Sequence, residues 1–221
     1  MSSRLRLVLL SDTHTMHELL EIPDGDVLVH AGDFCMRGSL DELEESAAFF
    51  SALPHRHKVV VAGNHDRILE ADRSLGRTAF ASCHYLLDSG AEIGGLRFWG
   101  SPWQPEHLSW AFNLPRGQPL RQKWDLIPDG IDVLVTHGPP MGVMDQTVRG
   151  EHVGCQDLRD AVTRIRPRLH VFGHIHEARG TVVTDETVFV NASNCTVRYA
   201  PIHAPVVVDV ETGGGRCVVM E

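Results

Sequence analysis

The 221-residue sequence has no long apolar run and few cysteines. No stretch approaches the roughly 20 apolar residues that a membrane-spanning helix requires, so we expect no membrane partner. The apolar run near the start is too short for a secretory signal, and no cleavage site of small residues follows it before Ser11. The five cysteines are widely spaced without a C-x-x-C pair, which argues against a disulfide framework or a zinc knuckle. These absences predict reduced thiols and a cytoplasmic location.

The chain is also short of positive charge and lacks a linker. Its 20 Lys and Arg against 29 Asp and Glu give a formal net charge of −9. A protein that follows an extended nucleic acid needs a basic stripe to displace counterions, so we expect no such partner. A small phosphate ester stays possible, because bound cations would reverse the local field. No segment rich in Pro, Gly and Ser divides the chain, which predicts a single domain over residues 1–221.

Short apolar, β-branched runs alternate with helical patterns over the first three quarters of the chain, which indicates an α/β fold. Ser39 and Glu42 form a capping box that opens an amphipathic helix ending near Leu53 and Pro54. A second helix is predicted over residues 156–165. Buried strands are predicted over residues 6–10, 27–31, 59–62, 133–136 and 169–172.

Two later regions have a different character. Four successive strands with short turns, over residues 181–184, 188–191, 206–210 and 217–220, predict antiparallel pairing. Residues 101–128 are rich in Trp, Pro and Asn and have weak periodicity, which predicts a loop or short-helix excursion of the kind that often carries binding residues. Within it, Trp103 and Trp110 could stack on a nucleotide base or pack the excursion against a sheet, and the sequence leaves both interpretations open.

Side chains able to bind metal follow each of the five predicted strands. In an open α/β sheet, ligands bind outside the carboxyl ends of the strands, so these groups should converge on one rim. Two of the groups have two candidate side chains spaced two residues apart, which places both on one side of an extended chain. In chain order the groups are Asp12 and His14; Asp33; Asn64, His65 and Asp66; His137; and His174 with His176.

Seven of these residues supply nitrogen or oxygen donors: Asp12, His14, Asp33, Asn64, His137, His174 and His176. Seven exceed what one ion accepts with an open position, so the pattern predicts two divalent metal ions, with four protein contacts each if Asp33 bridges. A mixed nitrogen and oxygen set without thiolate favours Mn²⁺, with Fe, Zn or Co as alternatives. Each motif alone is weak, since a Gly-Asn pair is more often a turn, but a core has no structural need for five such strand ends.

The motifs D-x-H, G-D, G-N-H-D, H-G-P-P and G-H-x-H, in this order, resemble the signature of the calcineurin-like metallophosphoesterases. Segments 100–105, 110–117, 123–128 and 190–193 are similar to the metallophosphoesterase-domain-containing proteins known from vertebrate brain. The resemblance implies a four-layer α-β-β-α sandwich of two mixed sheets. It implies one metal on Asp12, His14, Asp33 and His176, and a second on Asp33, Asn64, His137 and His174. It also implies that His65 protonates the leaving oxygen, with Asp66 orienting it.

Two departures from that family qualify the analogy. Many of its phosphatases carry a second acidic residue where this chain has Met36, which weakens the comparison with protein phosphatases. One vertebrate relative has glycine at the position of His174, and because the ligand is present here we expect activity.

The resemblance, together with the metal-ligand pattern and the acidic chain, implies a phosphodiesterase that hydrolyses cyclic nucleotides or other small phosphodiesters by a metal-activated water. The alternatives are a phosphomonoesterase, a nuclease, a nucleotide pyrophosphatase, or a nucleotide-binding scaffold with little turnover. The expected partner is a small phosphoester, in particular a nucleotide. Outside the motifs, His30 is expected in the core, whereas surface positions are expected for His55, His57, His84, His107, Arg37 and Arg149.

Overall fold

The computed structural model describes residues 4–215 and 217–220. Over these residues the chain forms the following strands in order: β1 (Arg4–Leu10), β2 (Val27–His30), β3 (His57–Val60), β4 (His84–Tyr85), β5 (Ser89–Ile93), β6 (Leu96–Ser101), β7 (Gln104–Pro105), β8 (Asn113–Leu114), β9 (Val133–Thr136), β10 (Leu169–Phe172), β11 (Gly180–Val183), β12 (Val188–Asn191), β13 (Val206–Glu211) and β14 (Cys217–Val219). The helices are α1 (Leu40–Ala52), α2 (Arg67–Ala71), α3 (Ser74–Ala79), α4 (Gln118–Trp124) and α5 (Gln156–Ile165). Two 3₁₀ turns cover His17–Leu19 and His176–Ala178.

Most strands belong to two six-stranded mixed sheets. The first has the order β14-β13-β1-β2-β3-β4 and the second β11-β12-β10-β9-β6-β5, while β7 and β8 form a separate short pair. In the first sheet β1 to β4 are parallel, and in the second β12, β10, β9 and β6 are parallel. Each sheet therefore has a central parallel region, whose strands all end at one edge.

Successive side chains of a strand point to opposite faces of its sheet, and the two faces contribute to two different apolar clusters. Leu7 and Leu9 of β1 share an apolar cluster with Val133 and Val135 of β9, and none of its fully buried members comes from a helix. The residues between them, such as Val8, belong to a second cluster with side chains of α1 and α5. The sheets therefore face each other and the helices cover their outer faces, which confirms the four-layer α-β-β-α sandwich.

Both predicted helices are confirmed. Ser39 and Glu42 form the capping box at the start of α1, which ends before Leu53. Helix α5 occupies residues 156–165 as predicted, and it ends where Arg166 adopts a left-handed conformation with φ 52°. The longest of these helices has 13 residues, and no helix in the described part of the chain has the length and apolar character to cross a membrane.

The strand prediction at the C-terminal end is only partly correct. Strands β11 and β12 are antiparallel, as are β13 and β14. However, β12 and β13 lie in different sheets, and β12 pairs in parallel with β10. Strand β12 is buried on both faces, and a uniformly apolar strand carries no signal for the choice of neighbour. Residues 101–128 hold the short strands β7 and β8 and helix α4, in agreement with the predicted excursion.

Candidate metal centre

The predicted ligands lie where the parallel strands of both sheets end. Asp12 and His14 follow β1, Asp33 follows β2, and His174 follows β10. These four residues have positive φ angles of 54°, 46°, 60° and 69°. Non-glycine residues adopt this conformation uncommonly and at a cost, and such residues cluster at functional sites. At each of these left-handed residues the chain turns directly after a strand. Their side chains therefore converge on one cleft at the ends of the strands.

Two glycines let the backbone approach the carboxylates closely. A Cβ atom at Gly63 would collide with the carboxylate of Asp33, and one at Gly173 would collide with that of Asp12. Glycine is the residue that permits such an approach. The glycines of the G-N-H-D and G-H-x-H motifs are therefore required by the close packing at this site.

One group of candidate ligands consists of Asp12, His14 and His176, whose ligand atoms all lie within 4.8 Å of one another. The Nε2 atoms of His14 and His176 are 3.3 Å apart, and Nε2 of His176 is 3.2 Å from Asp12 Oδ1. Ser193 donates to Asp12 Oδ2 at 2.8 Å and so orients this carboxylate. The sequence motifs did not identify Ser193 as a site residue.

A second group consists of Asp33, His137 and His174, again with ligand atoms within 4.8 Å of one another. A third, His14, Asp33 and His65, shares His14 with the first group and Asp33 with the second. Nε2 of His137 lies 3.4 Å from Asp33 Oδ2 and 2.9 Å from the side-chain oxygen of Asn64. Asp33 Oδ2 is also 4.0 Å from Nε2 of His14, so this carboxylate lies between the two groups. The structure therefore brings together all seven predicted ligands.

The imidazole orientations fit a cation in each group. In His14, His137 and His176, Nδ1 donates to a backbone carbonyl, at 3.2 Å to Cys35, 2.9 Å to Ala31 and 2.9 Å to Thr196 respectively. A histidine that binds metal through one nitrogen typically donates its other N–H in this way. In all three rings Nε2 is therefore the nitrogen that faces the carboxylate, amide and imidazole groups of the cluster, an arrangement that a positive charge stabilises.

The pKa values of the site residues indicate that this cluster favours positive charge. Burial opposes charge on His137 and His176, yet the Asp33 and Asp12 carboxylates raise the pKa of each to about 9. Burial also opposes ionisation of Asp12 and Asp33, but the neighbouring histidines hold the pKa of each carboxyl below its ordinary value. Burial lowers the pKa of His14 to about 4 and that of His174 to about 3, which keeps both neutral and able to bind metal. The two carboxylates therefore favour a positive charge beside each of them.

His65 lies at the edge of this cleft, with its Nδ1 donating to the carbonyl of Met36 at 2.6 Å. Its Nε2 is 4.0 Å from Asp33 Oδ2. Among the described residues, the Asp66 carboxylate makes no hydrogen bond with the His65 ring, so the expected orienting contact is not found. The Asp66 carboxylate accepts backbone N–H groups of Asp33 at 2.9 Å, Cys35 at 2.9 Å and Gly63 at 2.7 Å. Asp66 thus holds together the loops after β2 and β3, and the Met36 carbonyl orients His65.

Aromatic side chains border the cleft. Trp110 stacks on His65, with ring centroids 4.2 Å apart, so the excursion does contribute to the site. Tyr199, at a φ of 60°, places its ring edge-on to His14 at 4.8 Å. No motif in the sequence pointed to Tyr199. Trp103 is buried and donates to Asp88 at 2.9 Å, so it has the packing role.

The histidines outside the motifs differ in how far they are exposed to solvent. His30 is buried and lies 3.0 Å from the Thr13 hydroxyl, as expected of a core histidine. His107 is exposed, whereas His57 and His84 are half-buried. The surface prediction for His55 is wrong: it is 3% exposed and donates to the carbonyl of Pro23 at 3.0 Å. A polar neighbourhood in sequence does not reveal that a loop folds back on itself.

Comparison with known proteins agrees with this geometry. The family model of calcineurin-like phosphoesterases matches residues 5–178. Metallophosphoesterase domain-containing protein 1 of Homo sapiens is 41% identical, over 94% of this chain and 71% of that protein. A UPF0046 protein of Caenorhabditis elegans is 36% identical, over 97% of this chain and 84% of that protein.

Two solved structures show the same fold at low identity. TT1561 of Thermus thermophilus has a TM-score of 0.59 at 10% identity, over 86% of this chain and 89% of that chain. Purple acid phosphatase PPD1 of yellow lupin has a TM-score of 0.50 at 13% identity, over 96% of this chain and 50% of that chain. With a family model spanning most of its length and relatives above 30% identity, this chain belongs to the calcineurin-like phosphoesterases.

Proposed function

We propose that the protein is a dinuclear metal-dependent phosphodiesterase that hydrolyses cyclic nucleotides or other small phosphodiesters. The observation that carries this proposal is the convergence of seven nitrogen and oxygen donors, among which the imidazoles of His14, His137 and His176 are held with Nε2 toward the centre. We assign Asp12, His14, Asp33 and His176 to one cation, and Asp33, Asn64, His137 and His174 to the other. The donor set favours Mn²⁺, with Fe, Zn or Co as alternatives.

In this proposal the protein residues position a phosphoryl group and move one proton. When bound, two divalent cations supply positive charge to the phosphoryl oxygens and acidify a water molecule. The water oxygen forms a new bond to phosphorus while the opposite P–O ester bond breaks. Because Nδ1 of His65 keeps its proton in the hydrogen bond to Met36, the ring acts as an acid only in its doubly protonated form, which gives its Nε2 proton to the leaving oxygen and is left neutral. Such general acid help typically contributes ~10²–10⁴ in rate.

Three features favour a small diester. His65 supplies a proton to an alkoxide leaving group, which a poor leaving group needs most. The cleft over the metal centre is about 240 Å³, close to the lower end of small-ligand sites. The net charge of −9 disfavours a nuclease that would follow an extended backbone.

The decisive measurement is turnover of bis(p-nitrophenyl) phosphate against p-nitrophenyl phosphate, on protein reconstituted with Mn²⁺. We expect a higher kcat/KM for the diester, followed by turnover of 2′,3′- or 3′,5′-cyclic AMP. A preference for the monoester would move the assignment to a phosphomonoesterase. Tight nucleotide binding without turnover of any phosphoester would instead support a scaffold.

A further inference from the structure

A second cavity, of about 380 Å³, opens beside the metal centre and is called here the side cavity. His107 and His174 line both this cavity and the cleft over the metal centre. Gly138 and Pro139, directly after the candidate ligand His137, also line it. Because the two spaces share walls, a molecule whose phosphoryl group lay at the metal centre would extend into the side cavity.

One wall of the side cavity is held in shape by a buried carboxylate. Asp145 is 1% exposed, and its Oδ2 accepts the backbone N–H groups of Gly142 at 2.9 Å and Gly154 at 3.0 Å. Its Oδ1 lies 2.6 Å from Nδ1 of His152. Hydrogen bonds to a charged group are strong and directional. These internal hydrogen bonds fix the segment 142–154, as a pre-organised binding wall requires.

A tight turn of this segment places two side chains at the mouth. Thr147 donates to the carbonyl of Glu151 at 2.9 Å, and Val148 donates to the carboxylate of Glu177, next to His176, at 2.9 Å. Val148 is 77% exposed, although its backbone is fixed. Arg149 lines the cavity and makes no ion pair with any residue in the described ranges. An exposed apolar side chain and a free guanidinium are thus held at the entrance.

The lining suits a flat ring with polar edges. Much of it is apolar, from Pro105, Pro139, Val148, Val153 and Ile175. Two guanidinium groups also line it, those of Arg116 and Arg149, and guanidinium planes stack on aromatic rings. Arg116 is fixed by the carbonyls of Val153 and Gly154, at 2.7 and 2.6 Å. A heteroaromatic ring has apolar faces for these walls and polar edges for the exposed rim.

We propose that the side cavity binds a heteroaromatic ester group of the nucleobase class, carried by the ester that stays on the phosphorus. This inference rests on the proposed phosphodiesterase function. His65 lines the cleft but not the side cavity, so the leaving ester lies in the cleft and the other ester faces the side cavity. The substrate class that follows is a nucleoside phosphodiester.

The test compares two diesters with the same leaving group on Mn²⁺-loaded protein. Thymidine 5′-(p-nitrophenyl phosphate) carries a nucleobase, and methyl p-nitrophenyl phosphate does not. We expect the wild-type protein to prefer the nucleoside ester in kcat/KM. Arg149→Ala, which removes the free guanidinium, and Val153→Trp, which fills the cavity, should each reduce this preference about tenfold, within the range that single pocket contacts provide. Arg198→Ala is the matched control, since its neighbours Val197 and Tyr199 line only the cleft.

Each outcome has a separate meaning. An unchanged preference in both Arg149→Ala and Val153→Trp would overturn the assignment of the side cavity. An equal reduction in Arg198→Ala would also overturn it, because the effect would then come from the net charge around the opening. If the wild-type protein hydrolysed neither diester, the proposed function itself would fail. Arg149→Ala alters an exposed side chain, so a folding failure of Val153→Trp would leave the test intact.

Discussion

The imidazole of His65 lies against the indole of Trp110, with ring centroids 4.2 Å apart and an interplanar angle of 31°. The guanidinium of Arg67 lies 4.8 Å from the centroid of the same indole and donates to the carbonyl of Ser109 at 2.9 Å. The hydrogen bond to Met36 fixes His65 at Nδ1, and the stack fixes the plane of the ring. The proposed acid is therefore positioned by a residue of the central excursion.

We expect Trp110→Leu to mimic a partial loss of His65. The variant should lose about tenfold more activity on an alkyl or phenyl diester than on a p-nitrophenyl diester, because proton donation matters most for a poor leaving group. Metal content should stay unchanged, since Trp110 is not among the candidate ligands. The measurement is kcat/KM across leaving groups of rising pKa, with Trp110→Phe as the control that keeps an aromatic ring.

A double-mutant comparison separates positioning from a general structural role. If Trp110 acts through His65, Trp110→Leu should cause no further loss in a His65→Ala background, because residues that act as a unit are not additive. A further loss of the same size there, or an equal loss for all leaving groups, would contradict the positioning role.

Asp33→Ala should lose both metal and activity. Asp33 lies between the two groups of candidate ligands, 3.4 Å from His137 Nε2 and 4.0 Å from His14 Nε2. Removal of a shared carboxylate takes one donor from each cation and leaves uncompensated charge. Metal analysis after dialysis checks this, with Asp24→Ala at an exposed position as the control. Full metal content in Asp33→Ala would rule out a bridging role for this carboxylate.

The convergence of the candidate ligands could be predicted because the local sequence marks each strand and the point where it ends. A strand of Val and Leu followed by Asp12 or His137 identifies both the element and its end, and parallel strands end at one edge. The capping box at Ser39 is likewise a local signal, and helix α1 begins at the following residue.

The remaining parts depend on contacts between distant segments. Ser193 reaches Asp12, and Trp110 reaches His65, across long stretches of chain that no periodicity relates. The choice between two sheets for β12 and β13 is of the same kind, since strands with apolar faces can pair with several neighbours. His55 became buried because its ring reaches the carbonyl of Pro23, another non-local contact.

Asp66→Ala should destabilise the protein as well as reduce turnover. Its carboxylate satisfies three buried backbone donors, those of Asp33, Cys35 and Gly63. Buried donors without a partner cost about 1–3 kcal/mol each, so we expect a loss of about 3 kcal/mol or more after partial relaxation. Urea unfolding measures it. Asp26→Ala is the control, because the carboxylate of the exposed Asp26 accepts the backbone N–H of Arg6 near solvent and its loss should cost less than about 1 kcal/mol. Equal losses in the two variants would contradict the structural role of Asp66.

A buried histidine in β10 should make the metal-free protein sensitive to acid. Nε2 of His170 donates to the Thr136 hydroxyl at 2.9 Å, and that hydroxyl donates to the carbonyl of Gly138 at 2.8 Å. Nδ1 of His170 has no hydrogen-bond partner in the described part of the chain. Burial lowers the pKa of His170 from 6.5 to about 3. The folded protein therefore keeps this ring neutral at pH values where the unfolded chain protonates it.

The sign of the effect follows from this difference in proton binding. Between pH 6.5 and about 3 the unfolded state binds the extra proton, so the stability that His170 contributes above pH 6.5 declines as the pH falls through this range. At pH 5 the decline is about 2 kcal/mol for one such histidine. We expect the free energy of unfolding in EDTA to fall by about 2 kcal/mol more for the wild-type protein than for His170→Leu between pH 7.5 and pH 5. The other histidines are the same in both proteins and cancel in this difference, so an equal fall would mean that His170 is protonated in the folded protein at pH 5.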